Sequence, residues 1–279
     1  MKDLGKTKLC LDLQIKYFPN GMLVHQLTYI EKVLKCFPMN KSHSLSSSMV
    51  VHSLEVKNNS FRPKEYKEEL LSPKIPYLNV IGALTYIANY TLLDIAFSVN
   101  LLTRYSFAPT NEVKHVLRYL RETTDMGLFY LKWSKSQLFG YTYVSYLLDP
   151  HKAQTQTRYV LTYGGTTISW RSVKQIMETC RLPFVKGNAT KLYGDNVVCI
   201  AQIKGGFIKG DITKYIFPKF FHTHKLQEKG KINIQQNCSF SNLANLFTKV
   251  LHLTTFKKLR CNIGMRRLRD LLVEVLKKS

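Results

Sequence analysis

At 279 residues the chain is long enough for one large domain or two modest ones, and its 45% apolar content excludes a disordered polymer. It carries 41 Lys and Arg against 18 Asp and Glu, a formal net charge of +23. These cations are spread along the whole length, which favours a polyanionic partner, nucleic acid being the commonest. The six cysteines (Cys10, Cys36, Cys180, Cys199, Cys238, Cys261) stand far apart with no Cys-x-x-Cys pair, which argues against a zinc ribbon or a disulfide framework. Met1-Lys2-Asp3-Leu4-Gly5 lacks the apolar core of a signal peptide, and no run approaches the ~18 apolar residues of a membrane span. The expectation is an intracellular protein of cytoplasm or nucleus, not secreted, with no membrane partner.

In chain order, Leu11, Leu13, Ile15 and Tyr17 alternate with polar neighbours, and Pro19-Asn20-Gly21 marks a turn before Met22-Leu23-Val24-His25, which predicts a hairpin. Thr28 followed by Glu31 reads as a capping box, with Ile30, Val33, Leu34 and Phe37 on one helical face. Residues 41–72 are polar and Ser-rich and read as a linker or surface loop. From Pro76 to Leu120 three apolar stripes predict helices: Tyr77, Ile81, Leu84 and Ala88; then Asp94 through Ser98, Leu101, Leu102 and Tyr105; then Val113, Val116, Leu117 and Leu120.

After Asp125 the pattern becomes β-rich. Strands are predicted at Gly127–Lys132, Gln137–Ser145, Arg158–Tyr163, Thr166–Trp170, Lys191–Tyr193 and Lys231–Gln235. Helices are predicted at Asn196–Lys204, Asn242–Leu251 and Thr255–Leu276. A meander followed by strand–helix alternation predicts an α/β second part, a mixed sheet with flanking helices, behind an α+β first part. The predicted boundary divides the chain into residues 1–125 and 126–279.

Several segments, in order, resemble the C-terminal part of the Pol polyprotein of copia-type retrotransposons. Lys2-Asp3-Leu4-Gly5, Pro19-Asn20-Gly21, Pro76-Tyr77-Leu78 with Ile81-Gly82-Ala83-Leu84-Thr85-Tyr86, Asp94-Ile95-Ala96-Phe97-Ser98-Val99-Asn100 and Val116-Leu117-Arg118-Tyr119-Leu120 are similar to the end of its reverse transcriptase. Thr167-Ile168-Ser169-Trp170-Arg171-Ser172, Tyr193-Gly194-Asp195-Asn196 and Asn242-Leu243-Ala244-Asn245-Leu246-Phe247-Thr248-Lys249 are similar to its ribonuclease H domain. The resemblance implies a helical thumb and connection fragment over 1–125, followed by a truncated, degenerate ribonuclease-H-like domain over 126–279. The polymerase Asp pair of such proteins has no counterpart, because no two aspartates are adjacent. DNA synthesis by this chain is therefore not expected.

Ribonuclease H chemistry needs carboxylates converging on two divalent cations, Mg²⁺ in this family. The resemblance draws them from a first strand, a following helix, the end of a later strand and a C-terminal helix. Tyr143, in Gly140-Tyr141-Thr142-Tyr143, stands at the first Asp position. The helix that should carry the Glu is largely missing from the 19 residues between Trp170 and Thr190. The acid left there, Glu178, lies ~140° round the helix from the apolar residue Val173 and reads as a solvated surface acid. Asp195 fills the third position, as a metal ligand or as a cap for the helix after it. Asn245 stands at the fourth. The histidine of a Thr-Lys-His-Ile segment is replaced in Thr213-Lys214-Tyr215-Ile216, and His222 and His224 read as surface residues. Leu92-Leu93 replace an Arg-Pro before Asp94, and a His-Trp segment after Pro109-Thr110 is lost.

One carboxylate in four leads to the expectation of a pseudoenzyme that binds no cation and keeps non-specific contact with DNA or RNA–DNA hybrid, because phosphate contacts outlive catalysis. The alternatives are a weak metal-dependent ribonuclease H recruiting Asp149, Asp211 or Glu228, and a module retained for its charge alone.

Overall fold

The structure, a computed structural model, describes residues 5–37, 43–49, 77–104, 112–132, 137–145, 156–174, 189–206 and 217–277. It is mixed α/β with two five-stranded sheets, and it divides into two compact units: Met1–Ser134 with Lys249–Ser279, and Lys135–Thr248. Among the described residues no helix is long and apolar enough to cross a membrane.

The first unit opens with strands β1 (Leu9–Cys10), β2 (Leu13–Phe18) and β3 (Gly21–His25). Phe18 pairs with Gly21, so the predicted turn is the two-residue connection Pro19-Asn20. The alternation predicted from Leu11 is interrupted. Leu11 and Asp12 both adopt positive φ (49° and 56°) and form a second two-residue turn between Cys10 and Leu13. Left-handed backbone suits tight hairpins but is costly for leucine, and the Tyr86 hydroxyl holds this turn by donating to the Leu11 carbonyl at 2.5 Å.

Helix α1 (Leu27–Cys36) buries Ile30 and Val33. The predicted capping box does not form, because the helix begins before Thr28, with Gln26 as N-cap. The Gln14 side chain serves the free donors of that first turn instead, accepting from Thr28 N (3.0 Å) and Thr28 Oγ1 (3.1 Å). Of the predicted linker, Ser48 and Met49 are buried, and Ser98 Oγ donates to Ser48 Oγ at 3.1 Å.

Helices α2 (Tyr77–Tyr90), α3 (Ala96–Arg104) and α4 (Glu112–Glu122) follow, with the predicted stripe residues Tyr77, Ile81, Leu84, Ala88, Val113, Val116, Leu117 and Leu120 all buried. Leu92 and Leu93 are fully buried core members, so the departure before Asp94 leaves no hole.

Strand β4 (Met126–Leu131) pairs antiparallel with β3, so it completes the first sheet and does not open the second. The segment predicted as one helix over Thr255–Leu276 is three elements: α7 (Leu253–Asn262), β10 (Met265–Arg267) and α8 (Leu268–Leu276). Gly264 at φ 88° ends α7, its N–H donating to the Cys261 carbonyl at 3.1 Å, and β10 then pairs with β4. The sheet order is β1-β2-β3-β4-β10.

The second unit is a mixed sheet. Strands β5 (Leu138–Ser145), β6 (Gln156–Tyr163) and β7 (Thr166–Lys174) form an antiparallel meander. Strands β8 (Thr190–Gly194) and β9 (Ile232–Gln236) add parallel to β5, giving the order β7-β6-β5-β8-β9. Helix α5 (Val197–Gly205) follows β8, and helix α6 (Phe217–Glu228), which the sequence pattern did not predict, precedes β9. One sheet face packs Leu192, Ile232 and Ile234 against Ile200 and Ile203 of α5 and Leu226 of α6. Gly140 lies on that face because the Leu192 and Leu161 side chains occupy the space a Cβ would need. The predicted helix at Asn242–Leu251 is instead a 3-10 segment, Leu243–Phe247, with Asn242 as N-cap accepting from Ala244 N.

Candidate nuclease site

Three of the four positions at which the resemblance expects carboxylates, Tyr143, Asp195 and Asn245, lie on or beside elements that meet at one end of the second unit's sheet. Tyr143 lies on β5, opposite Arg158 of β6. Strand β8 runs parallel beside β5, with Tyr141 paired to Tyr193, so Tyr143 and Asp195 each follow that pair by two residues. Thr142 Oγ1 donates to the Tyr193 carbonyl at 3.3 Å, and Asp195, partly exposed, sits between β8 and α5. The 3-10 segment closes on the same end: Asn242 Nδ2 donates to the Thr142 carbonyl at 3.1 Å, and Asn237 N donates to the Gly194 carbonyl at 2.8 Å.

Asn245 is 1% exposed, and its Nδ2 donates to the Ser239 carbonyl. Its Oδ1 is buried with no hydrogen-bond partner. The Asn245 carbonyl accepts from Thr248 N and Thr248 Oγ1, both at 3.1 Å. Three asparagines, Asn237, Asn242 and Asn245, therefore bind the 3-10 segment to itself and to the ends of β5 and β8. All of these contacts are neutral. A pair of divalent cations requires several charged oxygens. Asp195 brings one carboxylate and Asn245 one uncharged amide oxygen, and among the described residues no three His, Cys, Asp or Glu side chains gather into a metal-binding group.

Glu178, Asp149, Asp211 and the segment Thr213-Lys214-Tyr215-Ile216 lie outside the described residues. His222 is exposed on α6. His224, read from the sequence as a surface residue, is partly buried: Nδ1 lies 2.7 Å from the Ile203 carbonyl and Nε2 3.3 Å from Glu228 Oε1. That geometry joins α6 to α5 and occupies Glu228, one of the acids considered for recruitment.

The first unit holds a polar cluster that sequence reasoning missed. Asp94, fully buried, accepts from the Tyr119 hydroxyl; Arg260 Nη1 donates to Tyr119 Oη at 2.9 Å and lies 3.9 Å from Asp94 Oδ2. Burial pushes the Asp94 carboxyl up, opposed by Arg260 and by the Tyr119 hydrogen bond, and pushes the Tyr119 phenol well above its ordinary range. Nearby in sequence, Arg267 Nη1 donates to Asp125 Oδ1 (2.9 Å) and its Nη2 to Glu122 Oε1 (3.1 Å). Both clusters join residues 249–279 to the helices of the first unit.

The chain is 26% identical over 295 residues to the "Retrovirus-related Pol polyprotein from transposon TNT 1-94" of Nicotiana tabacum, covering 95% of this chain and 22% of that protein. It is 27% identical over 179 residues to the corresponding polyprotein of transposon RE1 of Arabidopsis thaliana, covering 63% of this chain and 12% of the other. A 105-residue stretch is 31% identical to "Secreted RxLR effector protein 161" of Plasmopara viticola, covering 36% of this chain and 74% of that protein. No family model and no solved structure matches the chain. The relative matched along nearly the whole chain is a retroelement polyprotein. The chain is thus similar to the Pol polyproteins of copia-type retrotransposons, and it spans about a fifth of the first of these relatives.

Proposed function

We propose that the chain is a non-catalytic remnant of a Pol protein. In this reading residues 1–125 derive from the reverse-transcriptase thumb and connection, and residues 126–279, which include the whole second unit, from a degenerate ribonuclease-H-like domain retaining non-specific affinity for nucleic acid. The observation that carries the reading is Asn245: at the position where the resemblance expects a carboxylate, a buried amide donates to the Ser239 carbonyl. Support also comes from the convergence of β5, the end of β8 and the 3-10 segment, the elements on which the resemblance expects the site.

Asp195 alone can neither bridge two cations nor leave a second acid to activate water. What this chain's residues supply is charge. With +23 overall, the protein neutralises phosphates wherever its Lys and Arg reach them, with little dependence on base sequence.

The test is a salt titration of binding to an RNA–DNA hybrid and to duplex DNA. Each neutralised phosphate contributes about −0.9 to the log–log slope on duplex DNA, so a handful of contacts gives a slope of several units. A flat dependence between low and physiological ionic strength overturns nucleic acid as the partner.

A further inference from the structure

The two faces of the second unit's sheet differ in chemistry. One is the apolar face against α5 and α6. On the other, register aligns two rows across β5, β8 and β9: Phe139–Lys191–Asn233, and Tyr141–Tyr193–Gln235. Strand alternation puts all six on the same side.

The rings form a stacked group. Tyr141 and Tyr193 have centroids 5.2 Å apart at 28°, and Phe139 and Tyr193 lie 6.1 Å apart at 15°. Lys191 Nζ sits 5.9 Å from the Phe139 centroid. The three rings and Lys191 are partly exposed, and so is Gln235, while Asn233 is exposed. The rings keep part of their surface accessible beside an ammonium group, in rows that continue to two primary amides.

Each component matches one part of a single-stranded nucleic acid. Aromatic faces stack on bases, an ammonium neutralises a backbone phosphate, and carboxamides offer a donor and an acceptor to a base edge. A duplex keeps its bases stacked on each other and presents only phosphates and groove edges, so it cannot use the rings. We infer that this face is a binding surface for single-stranded nucleic acid, with one or two bases stacking on the Phe139–Tyr141–Tyr193 group, Lys191 on the adjoining phosphate, and Asn233 and Gln235 at the base edges.

The inference rests on the nucleic-acid reading but goes beyond it. Charge alone ranks duplex and single strand together, whereas this face gives single strands a share of affinity that salt does not remove.

The experiment uses the full chain and fluorescently labelled 12-nucleotide single strands beside a duplex of the same sequence, titrated across salt. Tyr141→Leu/Tyr193→Leu, which keeps bulk and removes the π faces, is expected to lose about tenfold in single-strand affinity at physiological salt. Its duplex affinity and salt slope stay unchanged, and Tyr141→Phe/Tyr193→Phe retains wild-type affinity. A single-strand change below twofold, or an equal loss on duplex, overturns the inference. Photocrosslinking of the unmutated protein to an iodouracil-substituted single strand provides a readout free of folding effects: adducts within 139–141 or 191–193 support the surface, and adducts only elsewhere overturn it. If the unmutated chain binds neither substrate, the broader nucleic-acid reading fails. If it binds both while the variants behave alike, only the stacking surface fails.

Discussion

The two units link their polar side chains in different ways. In the first unit two charged clusters join distant residues, Asp94, Tyr119 and Arg260 in one and Arg267, Asp125 and Glu122 in the other. At the site end of the second unit, the contacts of Asn237, Asn242 and Asn245 are all between neutral groups, amides, carbonyls and hydroxyls. At the sheet end where the resemblance expects four, Asp195 is the one position still matched. A structural ion cluster penalises loss of any one partner, because the others remain buried. A catalytic carboxylate set instead repels itself when no cation is bound, so a neutral side chain at one of its positions relieves that repulsion.

The largest expected effect is at Arg260. Arg260→Ala leaves Asp94 and Tyr119 buried without their cation and should destabilise the first unit by about 3 kcal/mol in urea unfolding. Asp94→Asn combined with Arg260→Met should lose less than Arg260→Ala alone. A loss below about 1 kcal/mol would remove the contrast between the units.

Asn245→Asp follows. The new carboxylate would face the Ser239 carbonyl and have no buried donor, costing about 2 kcal/mol at neutral pH. Burial raises the pKa of such a group, so stability is retained at low pH and lost as pH rises through the folded value. The Tm deficit against wild type should therefore be greater at pH 7.5 than at pH 5. A deficit that does not change with pH, or one erased by Mg²⁺, would mean the position still functions as a carboxylate site.

Arg267→Ala should cost about 1.5 kcal/mol, since its partners Glu122 and Asp125 remain partly solvated. Hydrogen exchange should localise that loss to β10, α8 and the end of α4. Exchange unchanged there would mean that the Arg267 cluster does not hold β10 and α8 in place.

The smallest effect is at His25, whose pKa burial lowers against an opposing pull from Asp125. A depressed histidine contributes stability above its unfolded value, and that contribution is lost as pH falls through the folded value. Wild type should therefore lose more Tm than His25→Gln between pH 7.5 and 5.5, and equal losses would exclude His25 as a source of acid sensitivity.

Much of the fold was legible because it is local. The turn at Pro19-Asn20, the stripes of α2 and α4 and the strands of the second sheet follow from periodicity and turn residues. What escaped depends on distant partners. The apolar pattern from Thr255 onward continues through Gly264, and only pairing of Met265–Arg267 with Met126–Leu128 turns that stretch into a strand. The β4 strand looked like the start of the β-rich part because its partner β3 lies far back in the chain. Helix α6 has apolar residues on several sides, so no stripe marks it. At the candidate site, the resemblance singles out Tyr143, Asp195 and Asn245, but no spacing rule could reveal that the Asn245 amide is spent on Ser239. The Asp94–Tyr119–Arg260 cluster joins residues 25 and 141 positions apart, beyond any motif.

Loss of the carboxylate site is checked by incubating purified wild-type chain with an RNA–DNA hybrid in Mg²⁺ and in Mn²⁺, beside Asp195→Asn. The hybrid should be bound and recovered intact, with both proteins at background. Metal-dependent cleavage by wild type that Asp195→Asn abolishes would show that the site still works.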